Sequence, residues 1–526
     1  MGSADHSSID GSTRAGSLTG VLLISRVLGL CRDVVLAMLL GAGPASDALR
    51  AALKIPSMIR DLLAEGSISS AFIPAYEQQK VDGGDEAAHR FSRAVLTLLL
   101  IGTSGVAIAL WFSAPFWMQW LAPGLENPAL GVKLFIQLLP FLLLVPFLAI
   151  LRGLLLASDH NRSAAASQAL QNAVLVAAGI IMWNTSVGAE EAASGWISAF
   201  LGGALAALVL LAISGFKTHP MPVPTLRIRV AGIGRFSADL SIQLLAGSVV
   251  YLNSMIAIHF ASSIGTGAIT HLDNAFRFHF LPIALIGVAL GTIAGVDASR
   301  LVARQQSRVL AMRIGRNLRN ALFIAVPAAV GLSILAEPLI RLLLQHGKYS
   351  ASDADGTIAV LRVFCLAIPL ACLCPALIRT SMAMGHRWLL ICSSCIALAV
   401  NWTLLTVLEG RWGVPGLAFA SVISTLASWA LLEAGLRRRL ALPRMRWRAV
   451  LGNSLVTLAV AASTFSVSLL CSLGISDSST ADLLTLLIGI PLGMVVTVRV
   501  GRQLCVSETK ALVRLIRAAS RVLRRT

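Results

Sequence analysis

Arg26, Arg32 and Asp33, and then Asp47, Arg50, Lys54, Arg60, Asp61 and Glu65, all lie inside two stretches that are otherwise apolar. Asp273 and Arg277 repeat the pattern ahead of Pro282. Within a bilayer each ionised side chain costs about 2.5–3.5 kcal/mol on insertion scales, so it is retained where it faces water or a charged ligand. Cations outnumber acids: Arg26, Arg32, Arg50, Lys54, Arg60 and Arg277 stand against Asp33, Asp47, Asp61, Glu65 and Asp273. Most are arginines, whose planar fork binds phosphate oxygens two at a time. The chemistry suggested is the holding of an anionic, phosphorylated ligand at membrane depth. The competing reading is mutual pairing that holds a bundle together, for instance Arg32 with an acid of the second stretch. That reading leaves the cationic surplus unexplained. Arg50 and Glu65 are the residues best placed to snorkel to an interface.

Spacing sorts these groups onto faces. At 3.6 residues per turn, Asp47, Arg50, Lys54, Asp61 and Glu65 form one stripe, with Arg60 off it. Arg26 and Asp33 share a face of the first stretch, and Arg32 lies on a neighbouring face with Ser25 and Gly29. Pro56 and Pro282 each remove a backbone donor beside the charges and allow a bend there.

The elements that must carry these residues are membrane helices. The 526 residues are 56% hydrophobic and 13% charged, about half the charge of a soluble protein. With about 20 apolar residues needed per crossing, spans fall near 18–40, 45–72, 95–117, 134–156, 164–183, 195–213, 240–260, 268–296, 321–344, 357–377, 388–408, 414–432, 450–473 and 483–498. The fold class expected is therefore all-α and polytopic, with about 14 transmembrane helices. Loops following even-numbered spans are rich in Arg and Lys, and those following odd-numbered spans are neutral or acidic, apart from one of mixed sign at 341–355. That alternation predicts both termini on the cytoplasmic side. It also accounts for the net charge of +18 without nucleic acid, since the arginines sit in short loops rather than on a basic domain.

The expected organisation is a disordered tail over 1–17, a six-helix bundle over 18–216, a basic connector over 217–239 and a second six-helix bundle over 240–436. An extra helix pair over 437–503 and a basic cytoplasmic tail over 504–526 complete it. Two bundles facing a central cavity would suit alternating access. The residues preceding the first span lack the basic n-region and cleavage site of a signal peptide. Eight cysteines lie mostly inside apolar runs. Cys392 and Cys395 have C-x-x-C spacing, but with no His or second pair at ligand spacing they read as small packed thiols. No nucleotide-binding loop or nucleophile–base arrangement appears, so no catalytic residue, cofactor or metal is expected.

The motifs S-R-V-L-G-L-C-R-D (25–33), G-A-G-P-A-S-D-A (41–48) and K-I-P-S-M-I-R-D-L-L-A-E-G-S-I-S-S-A-F-I-P (54–74) resemble the opening of the MurJ (MviN) lipid II flippases. These belong to the multidrug/oligosaccharidyl-lipid/polysaccharide exporter superfamily. G-V-A-L-G-T (287–292) and Q-H-G-K-Y-S-A-S-D (345–353) are also similar to that family. The resemblance implies a flippase of peptidoglycan and cell wall biogenesis, acting as a monomer in the bacterial inner membrane. It would move undecaprenyl-diphosphate-linked disaccharide-pentapeptide from the cytoplasmic to the periplasmic leaflet. It implies substrate-binding roles for Arg26, Arg32, Asp47, Arg60 and Arg277, with Asp33, Lys54, Glu65 and Asp273 around them, and a groove for the polyprenyl tail in the last helix pair. Some relatives hold sodium between a seventh-span Asp and eleventh-span polar residues, for which Asp239 and Asn401 could stand; the further eleventh-span acid is missing here. The sequence departs from the family at Phe276, where an acid is common, and in the aromatic run Phe276, Phe278, His279 and Phe280.

Besides a scaffold without transport, which would need the charges mutually neutralised, two alternatives stay open. One is a flippase for another undecaprenyl-diphosphate-linked glycan, such as an exopolysaccharide repeat unit. The other is a membrane enzyme acting on polyprenyl phosphates, disfavoured because its usual acidic pair in a sizeable loop is absent.

Overall fold

The computed structural model describes residues 4–63, 68–158, 160–216, 220–408, 411–443, 447–504, 508–510 and 513. All regular structure among them is helical. Glu65, part of the connector (217–219) and nearly all of the expected basic tail lie outside the described residues.

The chain divides into two compact units, with Gly267 and Ala268 at the boundary. The first contains α1 (Ala4–Leu40), α2 (Pro44–Arg60), α3 (Ile68–Phe112), α4 (Ala114–Leu121), α5 (Pro128–Leu138), α6 (Phe141–Ala157), α7 (Asn161–Asn184), α8 (Ala189–Gly215) and α9 (Ile233–Ile264). α1 starts inside the stretch expected to be a disordered tail, and no proline interrupts the sequence from there to Leu40. The second expected span is shorter than its apolar run: α2 closes at Arg60, and α3 takes over from Ile68. Gly83 and Gly84 kink α3, and the positive φ of Gly84 (73°) is a conformation that glycine adopts without strain.

α1 packs on α7, α7 on α8, α3 on α6 and α2 on α5. α9, expected to open the second bundle, packs instead on α2, α3 and α4. Phe236 of α9 meets Phe91 of α3 edge-on at 6.0 Å. The unit therefore extends one helix beyond the expected boundary, because the connector returns α9 to the side of α3 that its aromatic residues fill.

The second unit holds α10 (Ala268–Pro282), a π-helical segment (Ile283–Val288), α11 (Ala289–Ala303), α12 (Ser307–Ile334), α13 (Ala336–Leu344), α14 (Ala351–Cys365), α15 (Ile368–Ala383), α16 (Arg387–Leu408), α17 (Gly413–Arg439), α18 (Trp447–Gly474) and α19 (Ser478–Leu504). The π segment begins right after Pro282, where the missing N–H disturbs the helical ladder. Gly287, Gly291 and Gly295 follow at intervals of four and form a small-residue ridge against α15. A Cβ on Gly287 would lie 2.9 Å from Cys372 Cα, and one on Gly291 2.6 Å from Pro375 Cβ. In lipid, where apolar surfaces gain little by leaving the solvent, such close backbone approach drives helix association. This is the physical content of G-V-A-L-G-T. α18 and α19 pack on each other, α18 also on α12 and α19 on α13.

Among the described residues nine helices are long and apolar enough to cross a membrane, and eleven crossings result if each of two bent pairs is one span. The bent pairs are α5–α6 and α14–α15. The other three of the fourteen expected spans fall on α1, α2 and α9. α1 carries Arg26, Arg32 and Asp33, and α2 has 17 residues with four charges among them.

Charged residues within the spans as a candidate functional site

In the first unit, α1 presents its charges in two ways. Arg26 is exposed and has no hydrogen-bonded partner among the described residues. Arg32 is held: Nε and Nη2 donate to Asp33 Oδ1 at 3.0 and 2.8 Å, and Nη1 donates to Asn172 Oδ1 at 3.1 Å. Asn172 of α7 also donates to the Ser25 carbonyl at 3.3 Å. The face of α1 carrying Ser25, Gly29 and Arg32 thus meets α7.

α2 carries the densest set. Pro44 begins it, and Asp47 sits in its first turn, where a carboxylate complements the helix dipole. Asp47 is 4% exposed, and its Oδ2 accepts the Gly267 amide at 2.7 Å. Arg50 is buried, with Nε 3.4 Å from Ser46 Oγ. One turn on, Lys54 donates to Ser254 Oγ of α9. Arg60 pairs with its neighbour Asp61, at 2.8 Å from Nε and 2.6 Å from Nη2, and about a quarter of its side chain stays accessible. The charges of α2 are therefore graded, from a buried end that anchors backbone to an accessible end where Arg60, off the expected stripe, pairs with Asp61.

The turn from α9 to α10 is tied down from several sides. Beside the Asp47 contact, Thr266 donates to Glu126, the Gly124 amide donates to Ser262 Oγ at 3.2 Å, and His259 Nδ1 meets the Trp120 carbonyl. Gly124 lies against the Ser262 backbone, so no larger residue fits there. Gly265 and Gly267 have φ of 149° and 84°, which makes glycine the residue for this turn.

In the second unit, Asp273 and Arg277 pair along α10, with Nε and Nη2 3.1 and 3.0 Å from Oδ2. Both are about one-third exposed. Phe276 and Phe280 are exposed beside them, while His279 is buried and stacks on Phe364. Asp239 is exposed on α9 and Asn401 is fully buried on α16. No group of three potential metal ligands occurs among the described residues.

Sequence reasoning missed several polar residues. Arg152 of α6 donates to Ser167 Oγ at 3.3 Å; the signal for it, an arginine inside an apolar run, was the one used for Arg26. Asn172 and Ser254, which hold Arg32 and Lys54, carry no charge and had no such signal. A buried network also links α10 to α14: Asn274 donates to Tyr349 Oη, which bonds Thr357 Oγ1, and His271 Nδ1 lies 3.1 Å from the same oxygen. Its members are scattered in sequence and become neighbours only through packing.

With this many apolar crossings among its described residues, whose regular structure is all helical, the chain is a multi-pass membrane protein. Residues 36–497 match the family model described as "Lipid II flippase MurJ", and the chain belongs to that family. A "Probable lipid II flippase MurJ" of Rhizobium tropici is 28% identical over 438 residues, 80% of each chain. The "Lipid II flippase MurJ" of Burkholderia cenocepacia is 27% identical over 442 residues, 80% of this chain and 83% of the other. The solved structure "Lipid II flippase MurJ, inward closed conformation" superposes with a TM-score of 0.76 at 22% identity, covering 93% of this chain and 99% of that one. An inward-facing multidrug resistance MATE family transporter of the MOP superfamily gives 0.62 at 17% identity, over 81% and 98%.

Proposed function

We propose that this chain moves lipid II, the undecaprenyl-diphosphate-linked peptidoglycan precursor, from the cytoplasmic to the periplasmic leaflet of the bacterial inner membrane. The two units would alternate access to a cavity in which Arg26, Arg32, Arg60 and Arg277 hold the diphosphate. Family membership supports the substrate. The observation that carries the arginine assignment is Arg26, an accessible guanidinium in an apolar helix with no described protein partner. Such a group awaits an anion or water. Arg32 and Arg60 each pair with one flanking carboxylate and keep about a quarter of the side chain accessible. A diphosphate could compete for them without leaving either acid in a dry site.

Asp47 supports the site from a distance, by fixing the turn ahead of α10 rather than by touching an anion. The polyprenyl tail would stay in lipid along the α18–α19 pair, because withdrawing it costs about 0.8 kcal/mol per methylene. The excess of Arg and Lys in alternate loops supports a cytoplasmic location for both termini. The membrane potential, worth about 2.3 kcal/mol per charge per 100 mV, could drive release. The chain acts as a monomer and makes or breaks no covalent bond. A second reading, transport of another undecaprenyl-diphosphate glycan, is favoured by one observation: an exposed Phe276 where the family commonly has an acid.

The test is complementation of a strain depleted of its own flippase, coupled to a leaflet-access assay for lipid II. Arg26→Ala and Arg277→Ala should abolish growth and leave protein levels normal. Full growth with either substitution refutes that arginine's role.

A further inference from the structure

The four residues Asp273, Phe276, Arg277 and Phe280 fall at steps of three, one and three along α10 and so share a face. Leu272, Ala275, Phe278 and His279 occupy the rest and are buried. The ion pair of that face is about one-third exposed, and Phe276 and Phe280 are 49% and 47% exposed. An ionised pair turned to hydrocarbon is strongly disfavoured, so the face looks onto water. Two exposed phenyl rings in a wet place are a binding feature rather than a lipid contact. The rings are 6.1 Å apart and within 18° of parallel. Phe276 is propped edge-on by Phe364 at 6.1 Å, which His279 backs by stacking at 5.1 Å. Together they make a rigid shelf flanking a guanidinium.

We propose that Phe276 and Phe280 stack against the pyranose ring next to the diphosphate of the lipid-linked glycan, and so select a sugar-bearing substrate over the bare lipid diphosphate. This rests on the reading that Arg277 meets the diphosphate. A pyranose shows an apolar face of C–H groups, which complements the negative face of an aromatic ring, and its hydroxyls stay in water at the rim. With the phosphates on Arg277, the sugar attached to them lies within one residue's reach of both rings.

The experiment measures binding of lipid II and of undecaprenyl diphosphate to the full-length protein in nanodiscs. Phe276→Leu with Phe280→Leu keeps apolar bulk and removes both ring faces. Lipid II should bind about tenfold more weakly to it, and undecaprenyl diphosphate as before. Phe276→Tyr with Phe280→Tyr should restore lipid II binding. Should the double leucine variant fail to fold, Phe280→Leu alone, whose only ring contact among the described residues is Phe276, carries the same test with a smaller loss. Unchanged lipid II binding, equal weakening of both ligands, or failure of the tyrosine variant to restore binding would overturn the shelf. Arg277→Ala separates the two claims: normal binding of both ligands would sink the diphosphate reading and leave the ring result to stand or fall alone.

Discussion

The Asp47 carboxylate, buried in the first turn of α2, accepts the amide of Gly267, 220 residues away, at 2.7 Å. It thereby fixes the residue that ends the first unit and precedes α10. A buried amide that loses its acceptor costs about 1–3 kcal/mol. Asp47→Ala should therefore lower the melting temperature of the purified protein and impair growth in the depletion strain. Asp47→Asn keeps an acceptor oxygen and should recover most of the melting temperature. Equal destabilisation by both would show that charge rather than the amide bond matters at this position.

Asn172 gives a second separable prediction. It accepts from Arg32 and donates to the Ser25 carbonyl, so it both orients a guanidinium and ties α7 to α1. Asn172→Leu removes both bonds and should cost about 1–2 kcal/mol of stability. Asn172→Asp keeps an acceptor for Arg32 and adds a charge that would compete with a diphosphate. The aspartate variant gives up the bond to the Ser25 carbonyl, so it should melt below the wild type yet above Asn172→Leu, and lose transport in the leaflet-access assay. Normal transport by Asn172→Asp would place Arg32 outside the path of the anion.

What was legible in the sequence follows from how far each signal reaches. Apolar runs and turn residues are local, and eleven of the expected spans coincide with crossings among the described residues, whereas the second is divided between α2 and α3. The Pro282 break was equally local, since one missing donor disturbs one turn. The charged residues stood out because a bilayer makes any ionised group conspicuous. The partners of those charges were not legible: Asn172, Ser254 and the Gly267 amide are neutral groups brought close by tertiary packing. The grouping of α9 with the first unit was hidden for the same reason, as the Phe236–Phe91 contact spans 145 positions of chain and each residue sits in a polar stretch just ahead of an expected span. The length of the connector suggested a boundary that packing does not respect.

The glycine ridge on α11 and the π segment before it makes a prediction about assembly in lipid. A methyl group on Gly291 would come within 2.6 Å of Pro375 Cβ and 3.0 Å of the Pro375 carbonyl carbon. Neither neighbour is a flexible tip that can swing away. Gly291→Ala should cost about 1–3 kcal/mol by overpacking, and Gly291→Leu should reduce the folded protein recovered from membranes. Gly105 is the control, since nothing lies within 4 Å of a Cβ built there. Gly105→Ala should leave yield and melting temperature unchanged. Matching losses at the two positions would mean that helix propensity, not the contact with α15, sets the outcome.

The turn between α18 and α19 supplies a pH dependence with a definite sign. Asp477 precedes α19, and its Oδ2 accepts the Thr480 amide at 3.0 Å as well as the Thr480 hydroxyl. These bonds, the hydroxyl's first, favour the ionised carboxylate and hold its pKa below the ordinary 3.8. A carboxyl whose pKa is lowered on folding stabilises the folded state at pH above its unfolded value, and that contribution fades as pH falls through the lowered value. The melting-temperature gap between wild type and Asp477→Ala should be constant from neutral pH down to about 5 and close progressively below about 4. Asp477→Asn keeps the acceptor without the titration, so its melting temperature relative to Asp477→Ala should not vary with pH over this range. A gap between wild type and Asp477→Ala that widened on acidification would contradict the cap as the source of the shift.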